Sequence, residues 1–490
     1  MLLSLDSVRA DALTFRDRET APTLAALAER GTVFTLALSG SSWTLPSHAQ
    51  MFTGQPPQLH GVHHDERKID PLTQTLPECL SAAGYATVGA WSGWFLAGEY
   101  GFGRGFDRYE TALDLDGGSN DADPSTRDGF ARRENSSHQQ ITSERLVSML
   151  SRSIAEAPAS EPLFVFGHFF DPHYDYIPPA PFDTRFDPDY LGEIDGENFW
   201  LNRRVFDAEK RPMRQVNDRD LDHIRALYRG EIAWTDKALG DLLIALERRG
   251  RLENTWIIVT SDHGEEFFEH ENRGHRQGLY DEVLRVPLLI VPPSGFDAVA
   301  DVDSLVSLSD IMPTVLDAVG AKRPPSVWGR SLLPGLAGES AQEDEGHFVV
   351  STLTTQVEGD EGSATLVMDS LRGGAMKLIR RTRIPEGGEP MLESAHWFDL
   401  RADSAELRPR GNPERPEVAG ALRRLELEID KMRTFHEDLP HAPAADRFTD
   451  VRDIFQTDLG ALGYAEGPEE RQADEDAHWT LAPLSSVKSR

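Results

Sequence analysis

The chain has 490 residues, 39% hydrophobic and 27% charged, enough for one large domain and a smaller one with a substantial core. Its net charge of −32 excludes nucleic acid, which is held by clustered Lys and Arg, and requires any anion site to carry its own positive charge, most simply a bound cation. No apolar run approaches the roughly 20 residues of a membrane span, and a single cysteine, Cys79, rules out an intrachain disulfide or a cysteine metal cluster.

Along the chain, strand-like apolar runs alternate with helical patterns. Leu2–Leu5 reads as a strand ending at Asp6, and Thr23–Arg30 as a helix with Pro22 in its first turn and Gly31 at a left-handed cap. Helices are expected over Pro46–Phe52 and Leu76–Ala83, a strand over Thr87–Trp91, and a longer buried strand over Leu163–Phe170. His223–Arg249 is a long amphipathic helix, with Ile232, Leu239, Leu243 and Leu246 near a 3.6-residue period. Thr255–Thr260 and Leu284–Val291 follow as buried strands. Continuous apolar strands separated by helices point to an α/β fold with a mostly parallel sheet sandwiched by helices. From about residue 346 the pattern becomes hairpin-like, with pieces at Phe348–Leu353, Ala364–Met368, Lys377–Arg381 and His396–Leu400, then a helix over Glu417–Met432. We therefore expect a catalytic domain over 1–345, a small antiparallel sheet with a helix over 346–435, and an acidic, mostly irregular tail over 436–490 with a short helix at Val451–Leu462. Asp114–Glu134 and Pro178–Trp200 read as surface loops. With no basic stretch followed by an apolar leader, the sequence as it stands reads as cytoplasmic; its clipped first strand leaves room for a leader lost through a wrong start site.

Three polar clusters fall at the carboxyl ends of expected strands, where a doubly wound sheet places its active site: Asp6, Asp171 with His173, and Asp262 with His263. Any one of them could be a helix cap or a turn; their coincidence in one chain points to a site. Thr44, two residues before Pro46, stands near a helix start whose unpaired N–H groups suit an anionic nucleophile and an incoming oxyanion. The alternative for Thr44 alone is a simple helix cap.

The stretch from Thr44 through Pro46, Ser47 and Gly54 to His60-Gly61 resembles the sulfatase signature, in which Cys or Ser leads x-Pro-Ser-Arg and a later Thr-Gly. Leu5 to Asp11 is similar to that family's metal-binding opening, and Thr255–Glu265 to its second metal motif. Leu279–Pro287, Asp310–Thr314, Gly329–Leu332 and His396–Leu400 match in order, so the resemblance covers about residues 1–432. It implies an alkaline phosphatase-like α/β fold with a small C-terminal antiparallel subdomain.

The departures bear on the chemistry. Sulfatases oxidise Cys or Ser to formylglycine; a threonine carries a methyl branch and cannot give that aldehyde. His48 replaces the Arg of the signature, Ser7 the second Asp of the opening pair, and Ala90-Trp91-Ser92 the Lys-x-His element that contacts sulfate. A Thr followed by x-Pro and His is similar instead to nucleotide pyrophosphatase/phosphodiesterases, which attack phosphorus with a threonine hydroxyl. The resemblance implies Asp6, Thr44, Asp262 and His263 as ligands of one divalent metal. Three oxygens and one imidazole favour Mn, Zn or Mg, with Ca the lesser option. Asp11 is a further ligand or, more simply, a cap. Catalytic roles fall to Thr44, His173 and His275, and substrate contacts to His48 and Arg276; His275 and Arg276 both stand near the family's sulfate-binding Lys. The expected function is hydrolysis of a small-molecule phosphate mono- or diester through Thr44. The rivals are a sulfuric ester hydrolase working without formylglycine and a catalytically weakened binding protein. The alcohol part of the substrate and the oligomeric state are not legible in the sequence.

Overall fold

The computed structural model describes residues 1–113, 140–196, 217–339, 347–357 and 362–447. The loop expected over Asp114–Glu134, the end of the Pro178–Trp200 loop, the junction near 345 and the Val451–Leu462 helix lie outside these residues.

An eight-stranded sheet forms the centre. Its strands are β1 (Leu2–Leu5), β2 (Thr32–Leu38), β3 (Ala86–Trp91), β4 (Arg108–Thr111), β5 (Leu163–Phe169), β6 (Ile257–Ser261), β9 (Arg285–Val291) and β10 (Asp301–Ser307). β7 (Glu266–Phe267) and β8 (Arg273–Gly274) form a separate two-residue pair. The order across the main sheet is β10-β2-β9-β6-β1-β5-β3-β4, and only β9 runs antiparallel to its neighbours β2 and β6. The sheet is thus mixed and mostly parallel.

Alternate residues of each central strand feed opposite faces, as the two-residue repeat of a strand requires. Leu2, Phe166, Ile258, Leu288 and Ile290 pack on the face that carries the Thr44–Thr53 helix. Leu3, Leu5, Val165, Val259 and Leu289 pack against the Ser143–Glu156 and Asp218–Arg248 helices through Leu146, Leu150, Ile224 and Leu239. Burial on both faces accounts for the continuous apolar runs of β5, β6 and β9, each such side chain contributing about 1.5–3 kcal/mol.

The C-terminal part is a four-stranded antiparallel sheet in the order β11 (Val349–Val357), β12 (Ala364–Gly373), β13 (Met376–Pro385), β14 (Met391–Asp399). The Pro416–Glu437 helix covers it through Val418, Ala421, Leu425 and Met432. Several connections tie this sheet to the catalytic part. Lys377, fully buried, pairs with Asp281 Oδ1 at 2.7 Å and Glu406 Oε1 at 2.8 Å. The first strand braces the loop before the Thr44 helix: Thr352 N donates to Gly40 O, Ser351 Oγ to Ser39 O and Ser41 Oγ to Thr352 O, each at 2.7 Å.

Candidate active site

β1, β5 and β6 end level with one another: Leu5 pairs with Phe169 on one side and Ser261 on the other. Chain position therefore brings Asp6, Asp262 and His263 together just beyond the sheet edge, with Asp171 and His173 one and three residues past the neighbouring Phe170. The Thr44–Thr53 helix, all ten residues buried, closes the other side. Its start is pinned by Ser47 Oγ, 2.8 Å from Trp43 O and 2.8 Å from Ser39 Oγ, and by Gln50 Oε1, which accepts from Gly40 N at 2.7 Å. Gly54, at φ 65°, ends it in the left-handed region that favours glycine.

Thr44 is the first helical residue; Trp43 is the N-cap and makes no side-chain cap bond. The Thr44 hydroxyl is thus not a cap. It lies 3.5 Å from His263 Nε2 and helps to lower the Asp6 pKa. His263 Nδ1 stands 2.8 Å from Gly264 O and so donates to that carbonyl, which turns Nε2 towards the carboxylates. That nitrogen is 3.6 Å from Asp6 Oδ1 and 3.4 Å from Asp262 Oδ2, a buried oxygen with no hydrogen-bond partner. Ligand atoms of Asp6, Asp262 and His263 all lie within 4.8 Å of one another. Two carboxylates and an imidazole converging in a buried site fit a divalent cation.

The surroundings supply no competing charge: neither carboxylate is paired with a Lys or Arg among the described residues. Burial drives the pKa of His48 down to about 3 and that of His168 down to about 4, so both imidazoles are neutral at pH 7. Each has a bracing contact. His48 Nδ1 donates to Thr44 O at 2.9 Å, and its Nε2 accepts from Ser4 Oγ at 3.0 Å. His168 Nε2 holds Asp6 Oδ2 at 3.1 Å. His48, His168 and Asp262 form a second group of acid and imidazole atoms, but both nitrogens of His48 are already committed. Ser7 donates its N–H to Asp262 Oδ1 at 3.2 Å and its hydroxyl to Asp6 Oδ1 at 2.8 Å. Asp11 forks onto Arg9 at 2.8 and 2.7 Å.

Burial pushes the Asp6 pKa up to about 6, with His263, Ser7 and Thr44 pulling it back, whereas the ordinary value is 3.8. The folded state therefore binds the extra proton between those values. The Asp6 contribution makes the cation-free protein more stable as pH falls from about 6 towards about 4, and that stability is lost as pH rises through about 6. A cation must displace this proton, so calorimetric affinity for a divalent ion is expected to fall steeply below about pH 6. An affinity that stays constant down to about pH 4 would remove Asp6 from the ligand set.

The other expected residues cluster nearby. The His275 ring centroid is 4.4 Å from that of His263 and 4.9 Å from that of His173. His173 stacks on Phe170 and donates from Nδ1 to Tyr174 O at 2.6 Å. Arg276 places its guanidinium 4.0 Å over the Trp43 ring and its backbone N 3.1 Å from Ser42 O, against the residues before Thr44. Sequence reasoning did not single out Glu265 or Tyr176. Glu265 Oε1 is 3.0 Å from His275 Nδ1, and Tyr176 donates its hydroxyl to Glu265 Oε2 at 3.0 Å.

A family model described as Sulfatase matches residues 1–321, well over half of the chain. The chain belongs to the sulfatase family. Among curated relatives, arylsulfatase K of Mus musculus is 33% identical over 252 residues, 44% of this chain and 43% of that protein. An arylsulfatase of Clostridium perfringens is 32% identical over 213 residues, 39% of this chain and 44% of that protein. The matches thus span less than half the length of these relatives. Among solved structures, a phosphonate monoester hydrolase from Silicibacter pomeroyi superposes with a TM-score of 0.65 at 21% identity, covering 89% of this chain and 94% of that one. At that identity the likeness concerns the fold, and it agrees with the alkaline phosphatase-like architecture expected from the sequence.

Proposed function

We propose that this sulfatase-family chain is a metal-dependent hydrolase of small-molecule phosphate mono- or diesters, with unmodified Thr44 as its nucleophile. The carrying observation is the position of the Thr44 hydroxyl: 3.5 Å from His263 Nε2, which itself stands 3.6 Å from Asp6 Oδ1, at the start of a buried helix it does not cap. The hydroxyl stands at the positive end of the helix, which favours a developing oxyanion. A divalent ion held by Asp6, Asp262 and His263 would supply Lewis-acid charge neutralisation. Thr44 Oγ1, its proton released to water, attacks phosphorus in line as the bond from phosphorus to the alcohol oxygen breaks; His173 or His275 gives that oxygen a proton, and water then hydrolyses the threonine ester.

A second reading, direct attack on the sulfur of a sulfate ester, draws support from the arylsulfatase names of the relatives. A panel of aryl phosphate, phosphodiester, phosphonate and sulfate esters, run with Mn, Zn, Mg and Ca, separates the two. Preference for phosphorus esters supports the first reading; a strong preference for sulfate esters overturns it. The third reading, a weakened binding protein, predicts purified protein without stoichiometric cation.

Cys79 is buried in the Leu76–Ala82 helix, away from this site, and its thiol pKa is pushed up to about 11 by burial and then by Glu78. Cys79→Ala is expected to keep full turnover while costing about 1 kcal/mol in a urea melt. Lost turnover in the folded variant would contradict Thr44 as the nucleophile.

A further inference from the structure

Ser7 takes the place of the second Asp in the family's opening pair. It is fully buried, and its backbone sits at φ 58°, in the left-handed region that a residue with a Cβ rarely adopts. That turn lets one residue reach both candidate ligand carboxylates. Its hydroxyl donates to Asp6 Oδ1 at 2.8 Å, and its backbone N–H donates to Asp262 Oδ1 at 3.2 Å. Strain of this kind persists only where the surroundings over-determine it, and here they do. The Tyr228 hydroxyl, from the Asp218–Arg248 helix, donates to Ser7 O at 2.8 Å and accepts from Arg9 N at 2.9 Å. On the other side Val8 N donates to Ser261 Oγ at 2.9 Å, and that hydroxyl donates to His263 O at 2.6 Å. An acid at this position would add a negative charge. The serine adds a hydrogen-bond donor instead, and leaves Asp6, Asp262 and His263 as the converging ligand atoms.

We propose that Ser7, locked in its turn by Tyr228, is a positioning residue that fixes the Asp6 and Asp262 carboxylates relative to one another and so sets the affinity for the divalent cation. This rests on the reading above, in which Asp6, Asp262 and His263 hold that cation. A carboxylate already pinned at one oxygen has less freedom to lose when an ion binds, and partners that orient ligands in this way tune metal affinity without touching the metal.

The test is calorimetric titration of the cation-free full chain with Mn, Zn, Mg and Ca in turn. The tightest-binding ion is then titrated into Ser7→Ala, Ser7→Gly and Tyr228→Phe, each with a thermal melt. Both Ser7 variants lose the hydroxyl, but only glycine adopts the left-handed turn without strain. Ser7→Ala and Ser7→Gly should each weaken cation binding by about 10- to 100-fold. Ser7→Gly should nevertheless melt about 1–3 °C above Ser7→Ala, so that relief of strain brings back stability and not affinity. Tyr228→Phe keeps the ring and loses both hydroxyl contacts, and should weaken binding in the same direction by a smaller factor. If Ser7→Ala does not fold, Ser7→Gly and Tyr228→Phe carry the comparison. Near-native affinity in either Ser7 variant, or unchanged affinity in Tyr228→Phe, would overturn the role of Ser7 and leave the cation reading standing. A parent chain that binds none of the four ions would remove that reading, and the proposal with it.

Discussion

Thr44→Ala is expected to lower phosphoester turnover by about 10³-fold or more, equivalent to about 4 kcal/mol of transition-state stabilisation, while the fold survives. On the proposed mechanism the side chain contributes an attacking oxygen but no helix cap, so its removal costs chemistry rather than architecture. Thr44→Ser keeps the oxygen and loses only a methyl group from a buried position, and should retain measurable turnover. Steady-state kinetics on an aryl phosphate, with circular dichroism as the fold control, reads both. A Thr44→Ala enzyme with near-native rates would end the nucleophile assignment.

The second large effect is expected at Asp262. Its Oδ2 is the buried oxygen without a hydrogen-bond partner, while Oδ1 accepts from Ser7 N and His263 N at 3.2 and 2.9 Å. Asp262→Ala should abolish both cation binding and turnover. Asp262→Asn keeps an acceptor for the two backbone N–H groups and removes the charge. It should therefore fold like the parent and still fail to retain a cation in elemental analysis. Stoichiometric cation in Asp262→Asn would place the metal elsewhere.

The sheet was legible where burial is two-sided. The runs of β1, β5, β6 and β9 are mostly apolar, and the structure places each between covered faces. Their lengths were read to within one or two residues. The direction of β9 was not legible, because an apolar run records burial and not orientation. Asp301–Ser307 escaped notice because it is an edge strand whose first half is partly exposed and polar, so it lacks the apolar run that marked the central strands. The Ser143–Glu156 helix did carry a signal in Leu146, Leu150 and Ile154, four residues apart and buried on one face, that was not used.

The site shows the same division. Asp6, Asp262 and His263, which the structure brings together, could be singled out because they follow apolar strands, and Thr44 because it stands near a helix start. His48 stands at a substrate-contacting place in the family signature, but its ring lies between Thr44 O and Ser4 Oγ, a placement set by helix geometry that no motif spells out. Glu265 lies inside the stretch that resembles the second metal motif, but the motif gives it no role of its own. One carboxylate in a chain with 82 Asp and Glu is unremarked until Tyr176, 89 residues away, and His275, ten residues away, are seen on its two oxygens.

The central claim is that the hydroxyl of an unmodified threonine forms the covalent intermediate. Its most direct test is acid-quenched turnover of an aryl phosphate followed by high-resolution peptide mass spectrometry. The account predicts a phosphoryl group on the peptide containing Thr44, no oxidation of that residue, and no adduct in Thr44→Ala. A phosphoryl group on any other residue, or an adduct that persists in Thr44→Ala, would contradict it.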